Sequence, residues 1–162
     1  MDNLTPAQRS RTMSLIRSKD TRPELTIRRL LHARGLRFRK HARWLPGQPD
    51  LVFVSARVIV FIDGDYWHGW RFPQWQYKLA PYWKQKIERN RRRDQRNFRC
   101  LRRRGWLVLR LWEHQVKCDA ETCIDRVEAV VRRRTAKSVV LPTAKRQRDS
   151  RAAARIAGAG KS

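Results

Sequence analysis

The chain has 162 residues, enough for one compact domain, and sets 39 Lys and Arg against 14 acidic residues for a formal net charge of +25. A surface that basic repels itself, and the partner that relieves it is a polyanion, whose condensed counterions are released on binding. An anionic membrane is the rival, but no stretch is apolar over the ~20 residues a span requires. Residues 1–12 lack the apolar core of a signal peptide, so a cytoplasmic, nucleoid-associated protein is expected. Cys100, Cys118 and Cys123 form no CxxC pair, which argues against a disulfide framework. Of 7 Trp, Trp44, Trp67, Trp70, Trp75 and Trp83 fall close together. Interleaved with Arg and Lys, they suit stacking on bases or wedging between them, whereas Trp106 and Trp112 sit in an apolar run and read as core.

In chain order, Thr21-Arg22-Pro23-Glu24 is a capping box with Pro in the first turn, followed by Leu25, Ile27, Leu30 and Leu31. Gly35 closes that helix. Residues 36–43 alternate weakly, as a strand does. Two prolines and a glycine in Leu45-Pro46-Gly47-Gln48-Pro49 forbid regular structure. Two β-branched runs follow, residues 51–54 and 58–62, continuous enough to be covered on both faces and close enough for an antiparallel hairpin. Residues 82–104 are helical, with Trp83, Ile87, Phe98 and Leu101 on one face and 11 Lys or Arg against two acids from Lys84 to Arg104. Asn90 and Asp94 lie on the apolar face, where a polar group meets a partner or a site. Gly105 ends the helix, residues 106–112 form a third buried strand, parallel to a neighbour, and a last helix over 120–134 turns Cys123, Ile124, Val127 and Val130 inward. The expected organisation is a single domain over 1–134, with 1–20 as a DNA-contacting arm, and a basic, disordered tail over 135–162.

A phosphodiester nuclease needs a hard cation held by oxygen ligands, and a group to activate water or assist the leaving oxygen. Asp50 opens one strand of the hairpin, and Ile62-Asp63-Gly64-Asp65 closes the other, so the two converge at one sheet edge. His68 follows, able to act as acid or base near neutral pH. Plainer roles stand beside these. Asp50 is also a turn residue after proline, His68 is also a structural hydrogen-bonding group between Trp-rich loops, and Glu24 is also the acid of the capping box.

These segments together resemble the very short patch repair endonuclease family. The resemblance is carried by Leu45-Pro46-Gly47-Gln48-Pro49-Asp50 and by Val60-Phe61-Ile62-Asp63-Gly64-Asp65-Tyr66-Trp67-His68-Gly69. It continues in Tyr82-Trp83-x-x-Lys86-Ile87-x-x-Asn90-x-x-x-Asp94 and Gly105-Trp106-x-Val108-x-Arg110-x-Trp112-Glu113. Upstream, Arg9-Ser10-x-x-Met13 and Asp20-Thr21-x-x-Glu24 match as well. The resemblance implies an α/β, restriction-endonuclease-like mixed β-sheet flanked by helices. It implies an enzyme that nicks DNA 5′ to the thymine of T·G mismatches left by 5-methylcytosine deamination. The cofactor implied is Mg²⁺, held by Asp50 and the main-chain carbonyl of Ile62. His68 falls on the catalytic histidine, and Glu24 on an acid that reaches the metal's water shell. Tyr66, Trp67 and Trp83 fall on aromatics that wedge beside the mismatch, and Arg9, Met13, Lys86, Asn90 and Asp94 join them as DNA-binding candidates. The partner implied is double-stranded DNA with a T·G mismatch, approached by a monomer with a functional link to a DNA cytosine methyltransferase.

The sequence departs from the family twice. Where members hold a structural Zn²⁺ with Cys and His, this chain has Asp65, Trp70, Phe72 and His114, so no structural Zn²⁺ is expected and Trp70, Phe72 and Trp75 hold the loop. Where members place a second active-site histidine it has Asp63, an acid able to join Asp50 as a metal ligand. Two other functions stay open: a restriction-type or methyltransferase-associated nuclease acting on unmismatched DNA, and a DNA-binding protein without catalysis.

Overall fold

The computed structural model describes Thr5, Gln8, Arg11 and residues 20–140, with side chains as far as Ala136. Arg9, Met13, most of the expected arm and residues 141–162 lie outside the described residues.

Helix α1 (Arg22–Ala33) starts where the capping box places it, with Thr21 extended at the N-cap and Pro23 in the first turn. It stops at Gly35, whose φ of +75° lets the Leu36 N–H turn back onto the Leu31 carbonyl at 3.0 Å. Ile27 and Leu31 are its fully buried contribution to the core. The expected strand over 36–43 shrinks to β1 (Arg39–Lys40). Its far end is cut off by His41, whose φ of +52° is incompatible with extended pairing.

β2 (Leu51–Phe53) and β3 (Val58–Asp63) form the expected antiparallel hairpin, with Leu51 opposite Val60 and Phe53 opposite Val58, and every residue in both strands is buried. α2 (Pro81–Arg103) then crosses over and returns the chain as β4 (Leu107–Trp112), parallel to β3 with Asp63 beside Trp112. The order β1-β2-β3-β4 leaves β4 at the edge, so of its residues only Leu111 is buried and the strand is half-covered rather than enclosed. A short helix α3 (Glu113–Cys118), which the apolar pattern does not announce, leads into α4 (Ala120–Val140). α4 buries Cys123, Ile124, Val127 and Val131 and runs past Arg134, where Thr135 anchors its hydroxyl on the Val131 carbonyl at 3.0 Å.

The alternation of the central strands sorts the core into two layers. Leu51, Phe53, Val58, Val60 and Ile62 face α1, α3 and α4, while Val52, Ile59 and Phe61 meet Phe98 and Leu101 of α2. The result is a mixed four-stranded sheet flanked by helices, the restriction-endonuclease-like arrangement. This topology brings the start of β2, the end of β3 and the end of β4 to one edge. Among the described residues no helix is long and apolar enough to cross a membrane.

Candidate active site

At that edge opens a cleft of about 970 Å³, lined by Glu24, Asp50, Ile62, Asp63, His68 and Asp94 among others. Asp50 sits just before β2, and its Oδ2 accepts the Ile62 N–H at 2.7 Å, a direct consequence of antiparallel pairing. Burial pushes its carboxyl up to about 7 against that hydrogen bond, and the charges of Glu24 and Asp63 add to the rise. Glu24 itself is 3% exposed and fully engaged. Its Oε1 accepts from the Thr21 hydroxyl at 2.9 Å, and its Oε2 from the Asp20 N–H at 3.1 Å and from Arg28 Nη2 at 2.7 Å. The capping role therefore holds, on a side chain that also lines the cleft.

His68 stands on the loop after β3. Its Nδ1 lies 2.6 Å from Asp94 Oδ2 and its Nε2 lies 3.4 Å from Asp63 Oδ1. Asp94 reaches it from α2. Burial acts to raise Asp94, but the hydrogen bond and charge of His68, with Arg93 and Arg110 behind, hold its carboxyl below the usual range. Asp63 goes the other way: burial holds it above that range despite His68 and Arg110. The Arg110 guanidinium joins the two acids, with Nε 2.5 Å from Asp63 Oδ2 and Nη2 3.4 Å from Asp94 Oδ2. The first contact is a close ion pair not aligned as a hydrogen bond. The Arg110 guanidinium lies over Trp112, its central carbon 4.0 Å from the ring centre.

A continuous aromatic ridge borders the cleft. Trp75 stacks on Tyr66 at 5.5 Å, Tyr66 meets Trp67 edge-on at 4.8 Å, and Trp67 meets Trp83 at 5.7 Å. The Lys86 ammonium sits over Trp67 at 5.6 Å and over Trp83 at 5.3 Å. Tyr66 is 41% exposed, a large ring presented to solvent. Asn90 and Asp94, expected among the DNA contacts, have internal partners: Asn90 donates to the Trp67 carbonyl at 3.1 Å, and Asp94 binds His68. The loop is pinned at Gly69, whose φ is +68° and where a Cβ would stand 2.6 Å from Arg91 Cδ.

Asp65, Trp70, Phe72 and His114, the positions at which the resemblance would place a structural zinc, do not fit one here. His114 Nδ1 meets Asp65 Oδ1 at 2.6 Å, its backbone N–H meets the other Asp65 oxygen at 3.1 Å, and the Trp70 ring lies 4.8 Å from the imidazole. Two of the four positions, Trp70 and Phe72, offer no lone pair to a metal, and neither remaining side chain is a thiolate. Trp75 closes the loop by donating to the Trp70 carbonyl at 2.7 Å and packing edge-on against Phe72.

The donor chemistry at the other end of the cleft suits a hard divalent cation, since Asp50 is a carboxylate buried there within reach of the charges of Glu24 and Asp63. Ligand atoms of Asp63, His68 and Asp94 also lie within 4.8 Å of one another. That trio already holds the Arg110 guanidinium, and a metal ion would have to share the space with it. The trio is better described as a relay of hydrogen bonds and charges. Arg110, Arg28 and His41, which also lines the cleft, are absent from the sequence-based candidates. A usable signal existed for Arg110: it interrupts an apolar strand, the same anomaly that marks Asn90 and Asp94 on α2.

Comparison with known proteins agrees with this geometry. Residues 1–74 match the family described as DNA mismatch endonuclease Vsr. The chain is 46% identical over 114 residues to the type II nicking enzyme V.XorIIP of Xanthomonas oryzae, covering 69% of this chain and 84% of that one. It is 40% identical to the type II nicking enzyme V.NmeDIP of Neisseria meningitidis, covering 82% and 91%. With the DNA mismatch endonuclease Vsr of Escherichia coli the identity is 36%, covering 66% and 70%. A carboxylate pair and a histidine at one edge of a mixed sheet, on a chain this similar to nicking enzymes, lead to one assignment: the chain belongs to the Vsr family of DNA endonucleases.

Proposed function

We propose that this endonuclease nicks one strand of a double-stranded DNA 5′ to the thymine of a T·G mismatch, in a Mg²⁺-dependent reaction. The observation that carries the reading is the adjacency of two features on one loop. His68, held by Asp94, faces the Asp50 cleft, and its neighbour Trp67 belongs to a half-buried aromatic ridge on which Tyr66 is exposed. Asp50 and the main-chain carbonyl of Ile62 would hold Mg²⁺, with Glu24 against its water shell and Asp63 as a further acid beside it. When bound, Mg²⁺ would polarise the scissile phosphate and lower the pKa of water. His68 then moves a proton at Nε2, the nitrogen away from Asp94, while Asp94 fixes its tautomer and orientation. Asp63 and Arg110 set the charge around it.

Tyr66, Trp67 and Trp83 would wedge into the duplex, with Lys86 against the phosphates and Asn90 holding the Trp67 backbone. Unstacking costs a few kcal/mol and is cheapest at a mispair, so the wedge itself favours mismatches. Arg9 and Met13 enter as further DNA contacts on the family resemblance alone. The protein would work as a monomer at the nucleoid in the cytoplasm, domain 1–134 carrying the chemistry and the basic tail adding phosphate contacts. No structural Zn²⁺ is part of the proposal.

A second reading draws support from the two relatives named as nicking enzymes without mention of a mismatch. The chain would then cut unmismatched DNA, alongside a DNA cytosine methyltransferase. Nicking of matched and T·G duplexes, with Mg²⁺ and with chelator, separates the two. Asp50→Asn should abolish nicking and leave DNA binding, because it removes the charge and keeps the volume. Equal rates on both duplexes would overturn the mismatch reading, and full activity of Asp50→Asn would overturn the site.

A further inference from the structure

Beyond the cleft, the strongest unassigned charge feature is the outer edge of α2. Arg96, Arg99, Arg102 and Arg103 line an open groove of about 640 Å³ together with Pro46, Asn97 and Cys100. All four arginines are exposed. At ~100° per residue Arg96, Arg99 and Arg103 fall on one stripe of the helix, while Arg102 leans over the Phe98 ring instead, at 5.9 Å. Other arginines of this protein are committed to carboxylates: Arg28 to Glu24, Arg34 to three acids of α4, Arg110 to Asp63, Arg132 to Glu128. The three on the stripe have no carboxylate partner among the described residues, although they stand in a row and repel one another.

The groove adjoins the active cleft. Asn97 lines both, and so does the turn that carries Pro46 on the groove side and Gly47 on the cleft side. Gly47, at φ +79°, lets this turn press against α2 so closely that a Cβ would stand 3.0 Å from Asn97 Nδ2. The two depressions therefore lie on either side of a shared wall. From Arg96 to Arg103 the helix rises ~10 Å, about three base-pair steps of 3.4 Å.

We infer that this groove receives the sugar–phosphate backbone of the DNA on one side of the cut, through Arg96, Arg99 and Arg103. The contact is electrostatic and blind to sequence, and it extends the footprint past the aromatic ridge. It rests on the chain acting on DNA and is independent of whether a mismatch is required.

The test is the variant carrying Arg96→Gln, Arg99→Gln and Arg103→Gln, with the corresponding triple Lys variant beside it. Binding to matched and T·G duplexes is measured over a range of salt, and single-turnover nicking at saturating DNA. Each lost phosphate contact removes about 0.9 from the slope of log affinity against log salt, so the Gln variant should lose about 2 to 3. Affinity at low salt should fall between about tenfold and a hundredfold on both duplexes, with the saturated rate unchanged and the Lys variant close to the parent. Trimming the duplex arm on one side of the cut should erase the difference between parent and Gln variant, and trimming the other arm should preserve it. An unchanged salt slope, as an acidic protein partner would leave, overturns the proposal. So does a loss that neither arm length modulates. A change in T·G preference with the slope intact would likewise overturn the groove and leave the mismatch reading standing.

Discussion

Removing the Arg110 cation should cost this protein both stability and rate. In Arg110→Gln, Asp63 and Asp94, each 6% exposed, lose a guanidinium that stands 2.5 Å from one and 3.4 Å from the other. Breaking a buried ion pair from one side costs about 3–5 kcal/mol, because the remaining charge is stranded. The Arg110 side chain is 25% exposed, so water relieves part of this and about 2–3 kcal/mol is expected. For a folded unit of this size that is a fall in Tm of roughly 8–12 °C. Loss of a positive charge raises the proton affinity of every group around it, so the acid limb of the pH–rate profile should move to higher pH. Arg110→Lys keeps the charge but neither the fork nor the stack on Trp112, and should recover only part of both effects. The coupling is isolated by a cycle with Asp63→Asn: once that acid is neutral, Arg110→Gln should cost much less. Thermal melts and single-turnover nicking decide it. Additive losses in the double variant would show that the pair is not the source of the effect.

Four further outcomes follow from the same geometry. Asp94→Asn removes the carboxylate held at His68 Nδ1 and leaves only the longer Asp63 contact at Nε2, so it should slow nicking by about tenfold to a hundredfold with DNA affinity kept, and an unchanged rate would return His68 to a purely structural role. Because burial raises Asp50 to about 7, its protonated form favours the fold. That contribution is complete below the unfolded carboxylate value of about 4 and is lost as pH rises through about 7, so the metal-free Tm should decline across this window. Mg²⁺ should restore the Tm above about pH 7, and a melting curve indifferent to both pH and Mg²⁺ would contradict it. Gly69→Ala forces a side chain into a φ of +68° against Arg91 and the buried Ile87, and should cost about 1–3 kcal/mol by thermal melting. Elemental analysis of the purified protein should find no stoichiometric zinc, since Asp65 and His114 are bonded to each other.

What the sequence makes legible is local or follows from one step of pairing. The capping box at Thr21, the hairpin, the glycine stops at Gly35 and Gly105 and the apolar face of α2 each depend on residues a few positions apart. The convergence of Asp50 with Ile62 needs only the knowledge that β2 and β3 are antiparallel. Arg110 is different. Its meeting with Asp63 depends on the parallel register that sets it beside Phe61 in β3, on the crossing of α2 that delivers Asp94, and on Trp112 as a platform. None of these is written in the neighbours of Arg110. The exposure of β4 is hidden for the same reason. An edge strand and a central strand share an apolar sequence until the sheet order is known. β1 is shorter than its alternation suggests because a left-handed residue, His41, ends it.

The arrangement of α2 ties recognition to chemistry. Asn90 and Asp94 are four residues apart on one face of the helix, one turn from each other. They hold consecutive residues of the β3–α2 loop: Asn90 the carbonyl of Trp67, Asp94 the imidazole of His68. Lys86 and Trp83, which complete the ridge with Trp67, project from the same helix about one and two turns before Asn90. A ring of the ridge and the imidazole of His68 are therefore fixed to a single rigid element, joined by one peptide bond. On the proposed reading, an aromatic seated beside a mispair and an imidazole facing the neighbouring phosphate could not be positioned independently. Widening the ridge to accept an ordinary base pair would move the backbone that presents His68. Selectivity in such a design would come from the misalignment that a wrong fit imposes on the rate, more than from binding energy held in the wedge.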